Sequence, residues 1–285
     1  MNNSKNSSKE EKKKAIQSVI KAMMDRVMHK VLVDDPFSPD KHKADKPLYA
    51  ALVPKEIFKG SHFERRFVTP FGKAWEKLAL VAATHGLGYG AMNHMITGKV
   101  KAERLRRVTE ILNNLEHPEQ GKKRVRPDWK SELSYVLGGK GKDIPVSVIC
   151  DVYAEDRKKS KAKLAFELKA PLPNSDQTKV SKEKLLKLYS MEPLQIDEAY
   201  YALPYNPFGQ DKESYAWSFP ARWFNMKKDP VVLIGVEFWE KIGGLGTYDA
   251  FISAINEIGP EYRERIYREY LQIEPPAESA TTEKL

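Results

Sequence analysis

Cysteine is almost missing from this chain: Cys150 stands alone among 285 residues. That excludes a disulfide framework and a cysteine-based zinc cluster. Long apolar runs are missing too, and none approaches the roughly 20 residues of a membrane helix. The opening stretch MNNSKNSSKEEKKK is polar and basic, without the apolar core of a secretory signal. These absences lead us to expect a soluble, cytoplasmic protein. Several chemistry-bearing motifs are also absent: G-x-x-x-x-G-K-[ST], H-E-x-x-H and G-x-S-x-G. Gly86-Leu87-Gly88-Tyr89-Gly90 is not G-x-G-x-x-G and reads as a loop. The six histidines do not cluster, and His85 and His94 read as ordinary surface or core residues.

Charge is abundant and unevenly spread. Lysine plus arginine number 48 against 39 acidic residues, a net of +9. Residues 99–142 carry a net +6 and residues 157–187 a net +7, which leaves the remainder at −4. Localised positive charge suits a polyanion-binding face. A lysine-rich solvated surface has the same composition, so charge alone does not choose. Hydrophobic residues at 41% and charged residues at 31% are ordinary for a globular chain. The length allows one large domain or two small ones.

The pattern along the chain predicts a mixed α/β protein. Residues 1–14 read as a disordered basic tail and 276–285 as a flexible one. Between them we expect a single domain over 15–275, with a helical part over about 15–140, a core over about 141–240 and C-terminal helices over 247–272. Ile16, Val19, Ile20, Met23, Met24, Val27 and Val31 form a helical apolar stripe. Thr69 with Pro70 predicts a helix start, and Gly86 its stop. A further helix is expected from about Lys99 to Leu115, and Asp128 looks like the cap of a short helix ending at Gly138. Ile144–Tyr153 and Leu164–Lys169 read as strands joined by the polar turn Asp156–Lys161. A helix over Ser181–Tyr189 follows, then strands at Ala199–Leu203 and Val231–Ile234. Two short helices, capped by Thr247 and started by Pro260, close the chain. The whole is a mixed sheet flanked by helices.

One constellation carries chemistry. Acidic-x-Lys triplets begin at Glu10, Glu11, Asp128, Asp156 and Glu167, about the number that composition alone produces. Only Glu167-Leu168-Lys169 lies inside a convincing strand. The period of two puts Glu167 and Lys169 on one face and Phe166 and Leu168 on the other. In an antiparallel hairpin, residues equidistant from the turn face each other. The midpoint of Asp151 and Glu167 is residue 159, inside the charged turn. Asp151 should therefore stand opposite Glu167. A cross-strand ion pair on an exposed face would need the same residues, but Asp151 and Glu167 both interrupt apolar runs. A bound cation gives acidic residues a reason to be there. Asp128, which follows Pro127, and Asp156 remain alternatives for the first aspartate. Asp151, Glu167 and the Leu168 carbonyl offer the hard oxygen donors that Mg²⁺ prefers. Lys169 could hold or help deprotonate an attacking water and offset charge on a phosphate. Phosphodiester hydrolysis is the chemistry these residues suggest.

Asp151…Glu167-Leu168-Lys169 resembles the PD-(D/E)xK nuclease superfamily, although Cys150 stands where that name has proline. More narrowly, Phe166–Gln177 (FELKAPLPNSDQ) resembles type II restriction endonucleases of the TdeIII kind. So do Pro204–Gly209 (PYNPFG), Glu237–Gly244 (EFWEKIGG) and Phe71–Glu76 (FGKAWE). The resemblance implies a restriction-endonuclease-like core with a helical N-terminal part. It also implies a Mg²⁺-dependent homodimer cutting double-stranded DNA at a short palindrome, GGNCC for the TdeIII kind. Glu76 would be a helper acid near the metal. Asn174, Gln177 and Lys179 follow the second strand and would touch DNA beside the scissile phosphate, although Asn174 also suits a turn. Tyr205 and Asn206 would be groove readers or turn residues. Phosphate contacts are expected from Arg104, Arg107, Lys122, Lys123, Arg124 and Arg126. A structure-specific repair nuclease, or a basic DNA-binding protein without catalysis, would carry many of the same features.

Overall fold

The computed structural model describes residues 2–117 and 124–276, with side chains from Glu10 onward. In chain order the elements are α1 (Asn2–His29), α2 (Pro39–Asp45), α3 (Pro47–Leu52), α4 (Lys55–Gly86), β1 (Gly88–Lys101), α5 (Ala102–Glu116) and α6 (Trp129–Leu137). There follow β2 (Asp143–Asp156), β3 (Lys163–Leu168), α7 (Ser175–Tyr189), β4 (Glu198–Leu203), β5 (Val232–Ile234), α8 (Val236–Gly243) and α9 (Thr247–Arg265). Among the described residues, no helix is long and apolar enough to cross a membrane.

The chain divides into two compact units where the sequence led us to expect a single domain over 15–275. One comprises residues 1–78 and 249–285, the other residues 79–248. The first is helical. Its α1 buries Ile16, Ile20, Met23, Met24, Val27 and Val31, the stripe legible in the sequence. The helix runs back to Asn2, through the stretch expected to be a disordered tail. Lys and Glu there are good helix formers, and Lys13 and Gln17 both bond Glu257 of α9. Of the expected C-terminal tail, 277–285 lie outside the described residues.

Two prolines sit inside helices that the sequence reading broke at them. α4 continues through Pro70, and α9 through Pro260. Proline deprives the helix of one amide donor, and side-chain packing carries α4 across that gap. Phe63, Phe67, Phe71 and Trp75 stack at successive four-residue steps, with ring centroids 6.2, 5.1 and 4.9 Å apart. Trp75 then meets Phe251 of α9 at 5.4 Å.

The second unit holds a five-stranded sheet in the order β1-β2-β3-β4-β5. β1, β2 and β3 pair antiparallel, while β4 and β5 run parallel to β3. This is the expected mixed sheet with flanking helices. β1 is the strand the sequence reading missed: 86–90 read as loop, and Lys99–Lys101 as the start of a helix. Its glycines caused the error. Gly90 and Gly98 serve close approach rather than turning. A Cβ on Gly90 would come 2.9 Å from the Ala83 Cβ, and one on Gly98 would come 2.8 Å from the Met191 sulfur. Gly86 does end α4, and a Cβ there would fall 2.5 Å from the Gly243 backbone.

β3 is apolar on the face opposite Glu167. Phe166 is fully buried there, stacked on Tyr200 at 5.5 Å and edge-on to Phe238 at 5.8 Å. Phe166→Ala is expected to lower unfolding stability by about 3–5 kcal/mol in urea denaturation, the range for a buried aromatic truncated in a packed core. A loss under about 1 kcal/mol would mean that this layer does not support the strand.

Candidate active site

The β2–β3 hairpin has the register that the sequence implied. Val152 pairs with Phe166 and Glu155 with Lys163, so residue numbers across the hairpin sum to 318 and Asp151 falls opposite Glu167. The turn is closed by Asp156, whose carboxylate accepts from the amides of Lys158, Lys159 and Ser160 at 3.2, 3.0 and 3.0 Å. That fixes Asp156 as a turn residue and removes it as the first aspartate. Asp128 is likewise engaged as the cap of α6, accepting from the Ser131 amide at 3.2 Å and its hydroxyl at 2.9 Å. On its other side, β2 pairs with β1 through Met92–Val152 and His94–Cys150. Between these pairs Asn93 takes a left-handed φ of 51°, at the register position of Asp151.

Asp151 reaches across to the end of β3. Its Oδ2 accepts from the Leu168 amide at 2.8 Å and from Lys169 Nζ at 2.6 Å. Lys169 Nζ also donates to Glu167 Oε2 at 3.4 Å and to the Leu168 carbonyl at 3.2 Å. The oxygens of Asp151, Glu167 and Leu168 thus converge on one ammonium nitrogen. Among the described residues, nothing donates to Asp151 Oδ1. The cluster sits at the C-terminal end of β3, where β3 and β4 run parallel, the usual position of sites in such sheets.

Burial differs sharply within the cluster. The Glu167 side chain is 1% exposed, while Asp151 is 20% and Lys169 18% exposed. Burial, and then the nearby Asp151 charge, push the Glu167 carboxyl above its ordinary range. For Lys169, burial works against the charge. The carboxylates of Glu167 and Asp151 outweigh it and hold the ammonium above its usual value. Burial also pushes the neighbouring Cys150 thiol up to about 12, so Cys150 is a packing residue rather than a nucleophile.

A further cation, Lys184 of α7, was not anticipated. Its Nζ donates to both Glu167 oxygens, at 2.9 and 3.0 Å, and to the Ile149 carbonyl at 2.7 Å. In the sequence it is one of many helix lysines, and the helix was expected to begin only at Ser181.

The donor set suits a hard divalent cation. Two carboxylates and a carbonyl face one point already held by a positive charge. Among the described residues no group of three or more His, Cys, Asp or Glu is placed to bind metal.

The expected DNA contacts fare unevenly. Asn174 caps α7, accepting from the Gln177 amide at 2.8 Å. The Gln177 side chain is exposed. Lys179 pairs with Glu116 and lies over the Trp223 ring. Arg104 bonds Ser190 O at 3.0 Å and pairs with Glu192 at 2.5 Å. Arg107 pairs with Glu103 at 3.0 Å and lies 4.6 Å from the Tyr135 ring centroid. Both arginines are largely covered by the protein. Asn206 ties its own turn, donating to Ser214 Oγ at 2.9 Å and accepting from Phe208 N at 3.0 Å. Tyr205 is partly exposed. Arg124 and Arg126 are exposed, and Arg126 lines a cleft of about 340 Å³ with Trp217, Phe224 and Lys227. Lys122 and Lys123 lie outside the described residues. Glu76 is half-buried on α4, in the first unit.

Comparison with known proteins adds an independent line. The family model described as type II restriction endonuclease, HinfI, matches residues 12–259. Type II restriction enzyme HgiCII of Herpetosiphon aurantiacus is 27% identical over 217 residues, covering 75% of this chain and 77% of that protein. HgiBI from the same organism is 25% identical over 236 residues, covering 80% and 82%. HgiEI, also from that organism, is 26% identical over the same length.

The capping role of Asn174 can be separated from a role on DNA. Asn174→Ala should cost about 1 kcal/mol of stability, Asn174→Ser much less. DNA affinity in a gel shift should stay within about twofold for both. Weaker DNA binding at unchanged stability would return Asn174 to the DNA interface.

Proposed function

Because the chain belongs to the HinfI family of type II restriction endonucleases, we propose that Asp151, Glu167 and Lys169 form its catalytic centre and that Mg²⁺ is its cofactor. The enzyme is a site-specific DNA endonuclease of a restriction system. Type II restriction endonucleases generally use divalent metal ions. One observation carries the metal reading: the Asp151, Glu167 and Leu168 oxygens converge on Lys169 Nζ.

In this reading Asp151, Glu167 and the Leu168 carbonyl hold the ion. When bound, Mg²⁺ supplies Lewis-acid polarisation of the scissile phosphate and acidifies a coordinated water. With an ion held by these oxygens, Lys169 would give up its carboxylate contacts and would face a phosphate oxygen instead. A phosphate oxygen there would favour the charged ammonium, as the carboxylates of Glu167 and Asp151 do in this structure. Lys169 therefore offsets phosphate charge and orients the attacking water rather than removing a proton from it. Glu76 enters the proposal as a helper acid on the resemblance alone. Of the expected DNA contacts, Arg124, Arg126, Gln177 and Tyr205 are exposed, as is Asn174 at the cap of α7. The target is a short palindrome, GGNCC by resemblance to the TdeIII kind, cut by a homodimer whose two-fold axis matches that of the site.

Purified protein with plasmid and Mg²⁺ should give discrete fragments, and chelation should stop the reaction. Glu167→Ala and Lys169→Ala should each abolish cleavage while salt-sensitive DNA binding persists. Cleavage by either variant would move the chemistry elsewhere. Branch- or end-dependent products would favour the repair-nuclease reading. Sequencing the fragment ends tests GGNCC and gives the stagger.

A further inference from the structure

We propose that Lys184 is a positioning residue of this active site, one that fixes the Glu167 carboxylate for the divalent ion. The inference rests on the catalytic reading above and adds a residue to it. Lys184 stands on α7, the helix capped by Asn174 just beyond the end of β3. It reaches Glu167 with Nζ–O distances of 2.9 and 3.0 Å, and Ile149 O at 2.7 Å. An ammonium has three N–H donors, and these acceptors use all of them. Lys184 therefore has no donor left for a phosphate, which separates it from a DNA contact.

Its partners explain what it does. Glu167 is a nearly fully buried carboxylate and needs a permanent counter-charge. Lys169 cannot be that charge throughout. It holds the point on which the metal-binding oxygens converge and must leave when an ion takes that point. Lys184 approaches from the helix and bonds Ile149, two residues before Asp151 on the same strand. One side chain thus ties α7, Glu167 of β3 and the strand that presents Asp151. With Lys184 in place, Glu167 keeps its orientation while Lys169 moves. The two lysines divide the work: Lys184 is fixed and faces the carboxylate, Lys169 is exchangeable and faces the substrate.

The test compares Lys184→Met and Lys184→Arg in the full chain, each checked for folding by circular dichroism. One readout is the calorimetric titration of MgCl₂ into metal-free protein. The other is the single-turnover rate of plasmid cleavage. Lys184→Met should weaken Mg²⁺ binding by at least about threefold and slow cleavage by at least about tenfold. Lys184→Arg, whose fork can also grip a carboxylate, should recover most of both. Met substitution leaving both within about twofold of the parent would overturn the proposal. So would Arg no better than Met. If the Met variant does not fold, Lys184→Gln is read against Lys184→Arg by the same two criteria. A parent protein that cuts no plasmid while binding Mg²⁺ would overturn the Mg²⁺-dependent reading and leave the Lys184 calorimetry decisive.

Discussion

A carboxylate removed almost entirely from water is the constraint around which this site is built. Glu167 stands next to last in a strand that is buried from Leu164 to Leu168, and its side chain is 1% exposed. An ion in that position is strongly disfavoured unless it is paired and hydrogen-bonded. The protein meets the requirement with two ammonium groups arriving from different elements. Lys169 comes from the strand's own continuation and Lys184 from the next helix. Asp151 brings a second negative charge and, through the Leu168 amide, ties the neighbouring strand to the same place. The fold around it follows from this need. The hairpin sets the register, α7 delivers the second lysine, and the apolar layer behind β3 keeps water out.

What could be read beforehand was the part of the site written in local periodicity. Alternation identifies β2 and β3, the charged turn sits between them, and arithmetic on that turn places Asp151 against Glu167. Glu-x-Lys alone is near the chance background, and its position in a strand made it informative. Two parts were illegible for opposite reasons. β1 hides behind Gly90 and Gly98, which look like turn residues but make room for Ala83 and Met191. Lys184 hides among lysines. A basic residue on a helix normally reads as solvated surface, and only the packing of α7 on the sheet distinguishes Lys184 from its neighbours. At Pro70 the backbone rule that favours a break is opposed by the aromatic packing along α4.

The same limit governs the DNA-binding face. Composition counts positive charges and does not see their partners. Residues 99–142 and 157–187 hold the basic excess, yet several of those side chains are committed inside the protein. Arg104 and Arg107 grip carbonyls and glutamates, Lys182 is buried against Glu132, and Lys184 serves Glu167. What remains exposed includes Arg106, Arg124, Arg126, Lys140 and Lys142 in the first stretch, and Arg157, Lys158, Lys159, Lys161 and Lys163 in the second. A basic cluster in sequence therefore overstates the electrostatic footprint on the surface.

Charge balance in the cluster gives a physical reason for an ion requirement. Asp151 and Glu167 against Lys169 and Lys184 leave it formally neutral, so without an ion it has little attraction for a phosphodiester. On the proposed reading, a divalent cation would add two positive charges at the end of β3. The released Lys169 ammonium would then meet a phosphate oxygen rather than a carboxylate. Metal and substrate phosphate would each favour the other's binding, because each satisfies charge the other exposes. A cluster with one lysine could not behave this way. Its only counter-ion for the buried carboxylate would be the group that must leave it. The second lysine allows the carboxylate to stay compensated and oriented while the first one changes partner.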